Sequence, residues 1–273
     1  MMSNRQLMKR LMARPGRKFS LKDFDPGWTA DIKNEKKAEA LLAEGVKELS
    51  KHQEVLYAQD TRAVLMIFQA MDAAGKDGTI RNVLTGLNPA GIHVTSFKAP
   101  GGPEAQHDYL WRVHQAAPRR GDIAVFNRSH YEDVLVVRVK NFVPEPVWRR
   151  RYEHIRHFEQ LLTDEGTAVV KVFLHVSKDE QARRFQERLD DPEKRWKFRA
   201  GDLDDRALWD DFQAAYAEAI AETSTKDCPW YVVPADSNSR RNMAVGEILR
   251  RTLERLDPAF PDPEEGLEGV KVV

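Results

Sequence analysis

The alternation of short apolar runs with longer amphipathic stretches limits what this chain can fold into more than any other feature. "TRAVLMIFQA" (61–70) is a nearly unbroken apolar run rich in branched residues, the pattern of a strand buried on both faces of a parallel sheet. Four more runs follow: "GIHVTSFKAP" (91–100), "GDIAVFNRS" (121–129), "TAVVKVFLHVS" (167–177) and "PWYVVPA" (229–235). Between them lie helical patterns at 103–117, at 145–166, in a long charged stretch from Lys178 to Glu222, and through "RNMAVGEILRRTLERL". Strands that alternate with helices predict an α/β fold with a doubly wound parallel five-stranded sheet.

Ahead of the first strand, residues 31–59 space Leu41, Leu42, Val46, Leu49 and Leu56 at helical intervals, predicting an amphipathic helix. The expected organisation is therefore a loose segment and packing helix over 1–58, a core over 59–257, and a loose tail over 258–273. Pro, Gly and charge content make the first 25 or so residues and the tail read as irregular. No run approaches the roughly 18–20 apolar residues of a membrane span, and the N-terminus lacks the apolar block of a signal peptide. The single cysteine, Cys228, fits a reducing cytoplasm and reads as a packed small hydrophobe. With 43 basic and 43 acidic residues in 273, the chain as a whole offers no attraction to nucleic acid or membrane, so any polyanion site must be local.

The first strand runs into "FQAMDAAGKDGTIRNV" (68–83), which departs from the usual phosphate-binding pattern at two places. Ala70 stands at the first glycine, and Asp77 at the hydroxyl that normally grips Mg²⁺. The backbone N–H groups from Ala73, Ala74 and Gly75 to Asp77 and Gly78, at the start of a helix, would attract phosphate oxygens, and Lys76 would add a full charge. Ligands of a parallel sheet sit beyond the strands' carboxyl ends, which also selects Lys98 after the second strand and Asn127, Arg128, Glu132 and Asp133 after the third. Asn127 replaces the carboxylate expected near this point, and Asp122 lies at the wrong end of its strand. Arg128 is placed to reach a phosphoryl group bidentately. Glu132 and Asp133 are also consistent with plain charge complementarity at a helix start.

Residues 178–205 form a candidate helical lid. Arg184 and Arg188 stand four apart on one helical face, and Lys194, Lys197 and Arg199 surround the aromatics of "PEKRWKFR". Such a segment suits closure over phosphates; interspersed acids also permit a solvated, ion-paired helix. His107, His114, His130, His154 and His157 lack the spacing of a zinc site, and no G-x-S-x-G nucleophile motif occurs.

Taken together, "MDAAGKDGTI", "NPAGIHVTSFKAP", "FNRSHYEDVLVVRV", "HIRHFEQLLTDEGT", "DPEKRWKF", "GDLDDRALWDDFQAAYAEAI" and "PWYVVPAD" resemble polyphosphate kinase family 2, most closely its class III, over roughly residues 15–260. The resemblance implies a thymidylate kinase-like P-loop fold, phosphoryl transfer between inorganic polyphosphate and nucleotides with Mg²⁺, and a homo-oligomer, dimer or tetramer. It implies that Asp72 takes up the metal-holding task with help from the third strand's end, and it adds Arg138 to the nucleotide-binding candidates. Class I members carry Asp at Asn127 and Asn at Glu132, so this wording matches the group that accepts both nucleoside mono- and diphosphates. Where relatives commonly carry an aromatic pair and a lysine after the last strand, this chain has "DSNSRRN" (236–242), which affects a base or subunit contact rather than the phosphate site.

The function expected is AMP to ADP and ADP to ATP at the expense of polyphosphate, with Asp72, Lys76 and Arg128 at the chemistry. An ATP-dependent nucleoside monophosphate kinase would use the same parts. A non-catalytic polyphosphate-binding module could dispense with Asp72 or Lys76, and both are present.

Overall fold

The computed structural model describes residues 4–267 and 270–272. Its helices are α1 (Asn4–Leu11), α2 (Glu35–Gln59), α3 (Lys76–Leu84), α4 (Trp111–Gln115), α5 (Val136–Val139), α6 (Glu145–Asp164), α7 (Lys178–Asp190), α8 (Gly201–Ala207), α9 (Trp209–Thr223) and α10 (Asn238–Leu256). Its strands are β1 (Met12–Ala13), β2 (Ala63–Ala70), β3 (Ile92–Ser96), β4 (Ile123–Asn127), β5 (Thr167–His175) and β6 (Trp230–Pro234), in the sheet order β1-β6-β5-β2-β4-β3.

The five expected strands pair in parallel. β2 lies between β4 and β5, and every one of its eight residues is buried, which is why its sequence runs apolar without alternation. From β2 the chain winds one way to β3 and β4, then crosses to the other side for β5 and β6. That reversal opens a crevice at the carboxyl end of β2, where the loop after it emerges. α2, α3 and α10 form one helical layer; α5, α6 and α9 form the other, and α10 and α6 both pack on β5. α2 begins where Asn34 accepts a hydrogen bond from the Lys37 amide and ends at Asp60 in the left-handed conformation. No helix among the described residues is long and apolar enough to cross a membrane.

Two expectations fail locally. The N-terminal segment is ordered: β1 pairs antiparallel with β6 through Met12–Tyr231 and Ala13–Trp230, making the sheet six-stranded and mixed. Leu7, Leu11 and Ala13 are buried, and the Ser224 hydroxyl donates to the Ala13 carbonyl. Two residues are too short for a readable period, and the flanking Arg and Pro of "ARPGRK" mask them. The helix expected over 103–117 breaks into a 3₁₀ turn (Gly102–Gln106) and the five-residue α4, because Asp108 accepts from the amides of Leu110 and Trp111 and starts a new helix there. The tail from 258 onward carries no helix or strand among its described residues; 1–3, 268, 269 and 273 lie outside them.

If the N-terminal segment belongs to the core, Leu11→Ala costs about 2–5 kcal/mol, the range for a buried leucine, and lowers the urea midpoint accordingly. An unchanged midpoint would return residues 1–13 to the loose segment that their composition suggests.

Candidate active site

The loop between β2 and α3 is shaped by donors beneath it. The Asp72 carbonyl accepts from Gln181 Nε2 at 3.0 Å. Arg184 Nη1 donates to the carbonyls of Ala73 (3.0 Å) and Ala74 (3.1 Å), and Arg241 Nη1 donates to Ala74 at 2.9 Å. Lys76 Nζ donates to the Ala70 carbonyl at 3.0 Å, and Thr79 Oγ1 to Gly75 at 3.1 Å. With its carbonyls drawn inward, the loop leads into the first turn of α3, whose N–H groups have no intrahelical acceptor and no side-chain cap. That turn is an anion cradle.

The geometry demands specific backbone. Gly75 sits at φ +97°, and a Cβ there would stand 2.4 Å from Arg241 Nη1, so only glycine fits. Ala73 holds φ +61° without being glycine, a conformation that costs roughly 1–2 kcal/mol and is sustained by the Arg184 bond to its own carbonyl.

Charge is arranged in two tiers. Below the loop, Arg241 is buried among oxygens that carry no charge: the Ala74 carbonyl, Thr79 Oγ1, Asn238 Oδ1 and Asn242 Oδ1. Burial, and then the neighbouring Arg184 charge, lower its pKa to about 9. At the rim, burial and then repulsion from Arg128 bring the half-buried Lys76 down to about 8. Arg128, itself at φ +62°, donates Nη2 to Asp72 Oδ1 (2.8 Å) and Nη1 to Glu132 Oε2 (3.3 Å). The Glu132 and Asp72 carboxylates hold the Arg128 guanidinium firmly protonated. The Asp202 carboxyl on α8 is pushed up by burial and then by Asp72, which brings the start of α8 within electrostatic reach of the loop.

Asn127 Nδ2 donates to Asp77 Oδ1 at 2.6 Å, so the residue at the hydroxyl position is tied to the end of β4. The nearby hydroxyl of Thr79 is committed inward, accepting from Arg241 Nε at 2.6 Å. Asp133 is held by Arg151, whose Nη1 reaches both its carbonyl (2.9 Å) and Oδ1 (3.1 Å).

Two candidates stand elsewhere than expected. Arg184, read as a lid cation, is only 8% exposed; besides the loop carbonyls it donates to Ala235 and Asp236 and pairs with Glu180. It supports the loop from below because its long stem spans from α7 to carbonyls that would otherwise be orphaned. Arg138 donates to Glu218 at 2.7 Å and lies 4.5 Å from the Trp148 ring centre, so its contacts run to α6 and α9 rather than to the loop. Lys98 is exposed, with its carbonyl taken by Arg112. Arg188 is half-buried beside Asp202 at 3.9 Å, Lys194 pairs with Asp191 at 2.6 Å, Lys197 lies over Trp196, and Arg199 is exposed. Asp122 is buried between Arg119 and His93, and Cys228 is buried with its thiol 3.1 Å from Thr163 Oγ1.

Sequence reasoning missed Arg241 and Gln181. Arg241 sits within "DSNSRRN", where two arginines at the start of a helix oppose the helix dipole, a misfit that signals another task. Gln181 carries no comparable signal; its amide bridges Arg206 on α8 to the Asp72 carbonyl. A cavity of about 330 Å³ lies between the N-terminal segment, α2 and α10, and none of its lining residues belongs to the loop.

A doubly wound sheet whose central strand feeds an amide cradle ringed by lysine and arginine defines a kinase-type phosphotransferase of the P-loop class. The family model described as polyphosphate kinase 2 (PPK2) matches residues 32–261, and the chain belongs to that family. It is 56% identical over 267 residues to an AMP/ADP-polyphosphate phosphotransferase of Meiothermus ruber, covering 97% of this chain and 100% of that one. It is 50% identical over 234 residues to an ADP-polyphosphate phosphotransferase of Rhodopseudomonas palustris, covering 81% of each. The crystal structure of polyphosphate kinase 2 from Arthrobacter aurescens TC1 superposes with a TM-score of 0.91 at 41% identity, over 96% of this chain and 93% of that one.

Because the Lys76 pKa is lowered to about 8, its charge is present below that pH and lost above it. kcat/KM, which reports the free enzyme, is therefore expected to fall as pH rises through about 8, while the limb of kcat lies higher because bound phosphate favours the ammonium. Lys76→Arg should lose the limb near 8, since a guanidinium does not titrate there. A wild-type kcat/KM flat from pH 7 to 10 would contradict the assignment.

Proposed function

We propose that this enzyme transfers phosphoryl groups reversibly between inorganic polyphosphate and nucleotides, converting AMP to ADP and ADP to ATP. The observation that carries the reading is the single Arg128 guanidinium shared by Asp72 and Glu132 at the rim of the amide cradle. Phosphoryl transfer asks chiefly for positioning and for cations around the equatorial oxygens. The α3 amides and Lys76 would hold the transferring group, and Arg128 would stabilise the charge that develops on it. The names of the Meiothermus ruber and Rhodopseudomonas palustris relatives support the substrate class.

A divalent metal, Mg²⁺ in this proposal, fits the donor set. Among the described residues no three His, Cys, Asp or Glu side chains form a metal cluster. Mg²⁺ needs none, since it usually takes one or two carboxylates and completes its shell with substrate phosphates and water. Asp72, at the mouth of the cradle, would hold it, with Asn127 near by. When bound, the metal neutralises phosphate charge and orients the oxygens.

The cations Arg188, Lys194, Lys197 and Arg199, on and after α7, would follow the polyanion as parts of a lid over 178–205, with Arg184 as its fixed root. The proposal extends to a homo-oligomer, dimer or tetramer, as the resemblance implies, and to the cytoplasm, which the single cysteine suits.

Incubation with AMP, Mg²⁺ and either polyphosphate or ATP separates the readings. ADP and ATP formed from polyphosphate support the proposal, turnover with ATP alone would indicate a nucleoside monophosphate kinase, and binding without turnover a sensing module. In the same assay Lys76→Ala should lose roughly 10²–10³ in rate, the scale of one transition-state donor.

Glu132 is proposed to set acceptor choice. A carboxylate beside the acceptor repels the longer, more charged ADP, yet can order a cation or water in the space that the shorter AMP leaves. Glu132→Asn removes the charge and shortens the side chain by one methylene, and is expected to lose AMP phosphorylation far more than ADP phosphorylation. A Glu132 that only supports its turn would instead give an unchanged AMP/ADP ratio in a slightly less stable protein.

A further inference from the structure

The turn that carries Arg128 and Glu132 is short and intrinsically weak. It leaves β4 through Arg128 in the left-handed region, passes Ser129, and closes as a 3₁₀ turn over His130–Asp133, whose hydrogen bonds have poorer geometry than those of an α-helix. Near its start, Gln69 Nε2 donates to Ser129 Oγ at 3.3 Å. Its middle is held from the core instead.

Tyr131, next to Glu132, is fully buried. Its hydroxyl donates to Glu159 Oε1 at 2.7 Å and lies 2.9 Å from Thr223 Oγ1. His130 approaches the same carboxylate at 3.6 Å without a hydrogen bond, which leaves the phenol as the partner of Oε1. The other oxygen, Oε2, accepts from Lys171 Nζ at 2.5 Å, and Lys171 also donates to the Thr223 carbonyl at 2.7 Å. Trp230 Nε1 donates to Thr223 Oγ1 and packs edge-on against the Tyr131 ring, with centroids 4.8 Å apart.

α6, β5, α9 and β6 thus converge on one phenol. Such an arrangement is poor stability engineering: a buried ion pair loses its hydration, and apolar side chains of the same volume often do as well or better. What the polar version supplies is a directional bond, which fixes the ring and with it the backbone one residue from Glu132.

We infer that Tyr131, anchored by the buried Glu159–Lys171 pair and Thr223, is a positioning residue that sets where Glu132 and Arg128 present themselves to the acceptor nucleotide. It touches no substrate; it acts through its neighbours. The inference rests on the proposed polyphosphate-dependent reaction.

The test measures kcat and KM for AMP and for ADP with polyphosphate as donor, together with thermal midpoints. Tyr131→Phe keeps the ring and removes the hydroxyl. It is expected to lower kcat/KM for AMP about tenfold and for ADP by less than about threefold, changing the AMP/ADP ratio. The all-apolar variant Tyr131→Phe/Glu159→Leu/Lys171→Met is expected to recover the thermal midpoint to the wild-type value or above without recovering the ratio. A purely structural role predicts the reverse, a ratio that stays at the wild-type value while the midpoint moves. A wild-type ratio in either variant would overturn the inference while leaving polyphosphate transfer by the wild-type enzyme intact. A wild-type enzyme that takes nothing from polyphosphate would overturn the underlying reading, and the inference with it.

Discussion

Two guanidinium groups under one loop are the interaction on which the remainder of the site depends. Arg184 and Arg241 reach the Ala73 and Ala74 carbonyls from α7 and α10, helices that follow β5 and β6 respectively. A loop whose carbonyls are taken from below has its first-turn amides free for an anion. The peptide planes cannot rotate without orphaning buried donors, at about 1–3 kcal/mol for each group left unpaired. The doubly wound fold makes this possible, because β5 and β6 lie on the far side of β2 from β4 and deliver their following helices to the loop. Gly75 is the counterpart in sequence: the space that its missing Cβ leaves is where Arg241 sits.

Electrostatically the same two residues charge the floor of the crevice. Arg184 has Glu180 as a partner, whereas Arg241 meets only uncharged oxygens, so a net positive charge is buried below the amides. Burial and then repulsion by Arg184 lower the pKa of Arg241, and burial and then repulsion by Arg128 lower that of Lys76, so each neighbouring cation adds to the cost of holding a buried charge. An incoming polyanion relieves both strains at once. The acids at the rim balance part of this charge: Asp72 and Glu132 pair with Arg128, and in the proposed reaction both would exchange that partner for metal or substrate.

Much of this was legible in the sequence. Four of the five parallel strands showed as apolar runs because burial on both faces removes polar alternation. β3, an edge strand with half-buried or exposed residues, showed through its branched Ile92, Val94 and Thr95, and the loop was evident from a strand that breaks into Gly75-Lys76-Asp77-Gly78 and a helix. Sequence failed where the function of a residue depends on what lies across space. Arg184 and Arg188 share one helical face and the same charge, yet one roots beneath the loop and the other stands near Asp202; only the tertiary path of α7 separates them. Arg241 lay in a segment read as a divergence at a base or subunit contact, because the partners that tie it to the loop, Ala74 and Thr79, are more than 150 positions away in sequence. Lys171 did leave a sign, a lysine between Val170 and Val172 in an otherwise apolar strand, but its meaning needed Glu159 from the preceding helix.

The absent hydroxyl after Lys76 has a physical resolution in these contacts. The usual phosphate-binding pattern places a serine or threonine at position 77 to grip Mg²⁺; the aspartate here is bound instead by Asn127, so it closes the gap between α3 and the end of β4 as a structural pair. Thr79 could offer a hydroxyl two residues on, but Arg241 and the Gly75 carbonyl hold it inward. The anionic group left at the mouth of the loop is Asp72, whose backbone is pinned by Gln181 while its carboxylate is held by Arg128. In the proposed reaction, exchanging a neutral hydroxyl for this carboxylate would place a full negative charge beside the phosphates, strengthening attraction to a divalent cation and opposing a bare polyanion. The positive floor supplied by Arg184, Arg241 and Lys76 offsets that repulsion, so the altered loop and the arginines beneath it form one electrostatic unit.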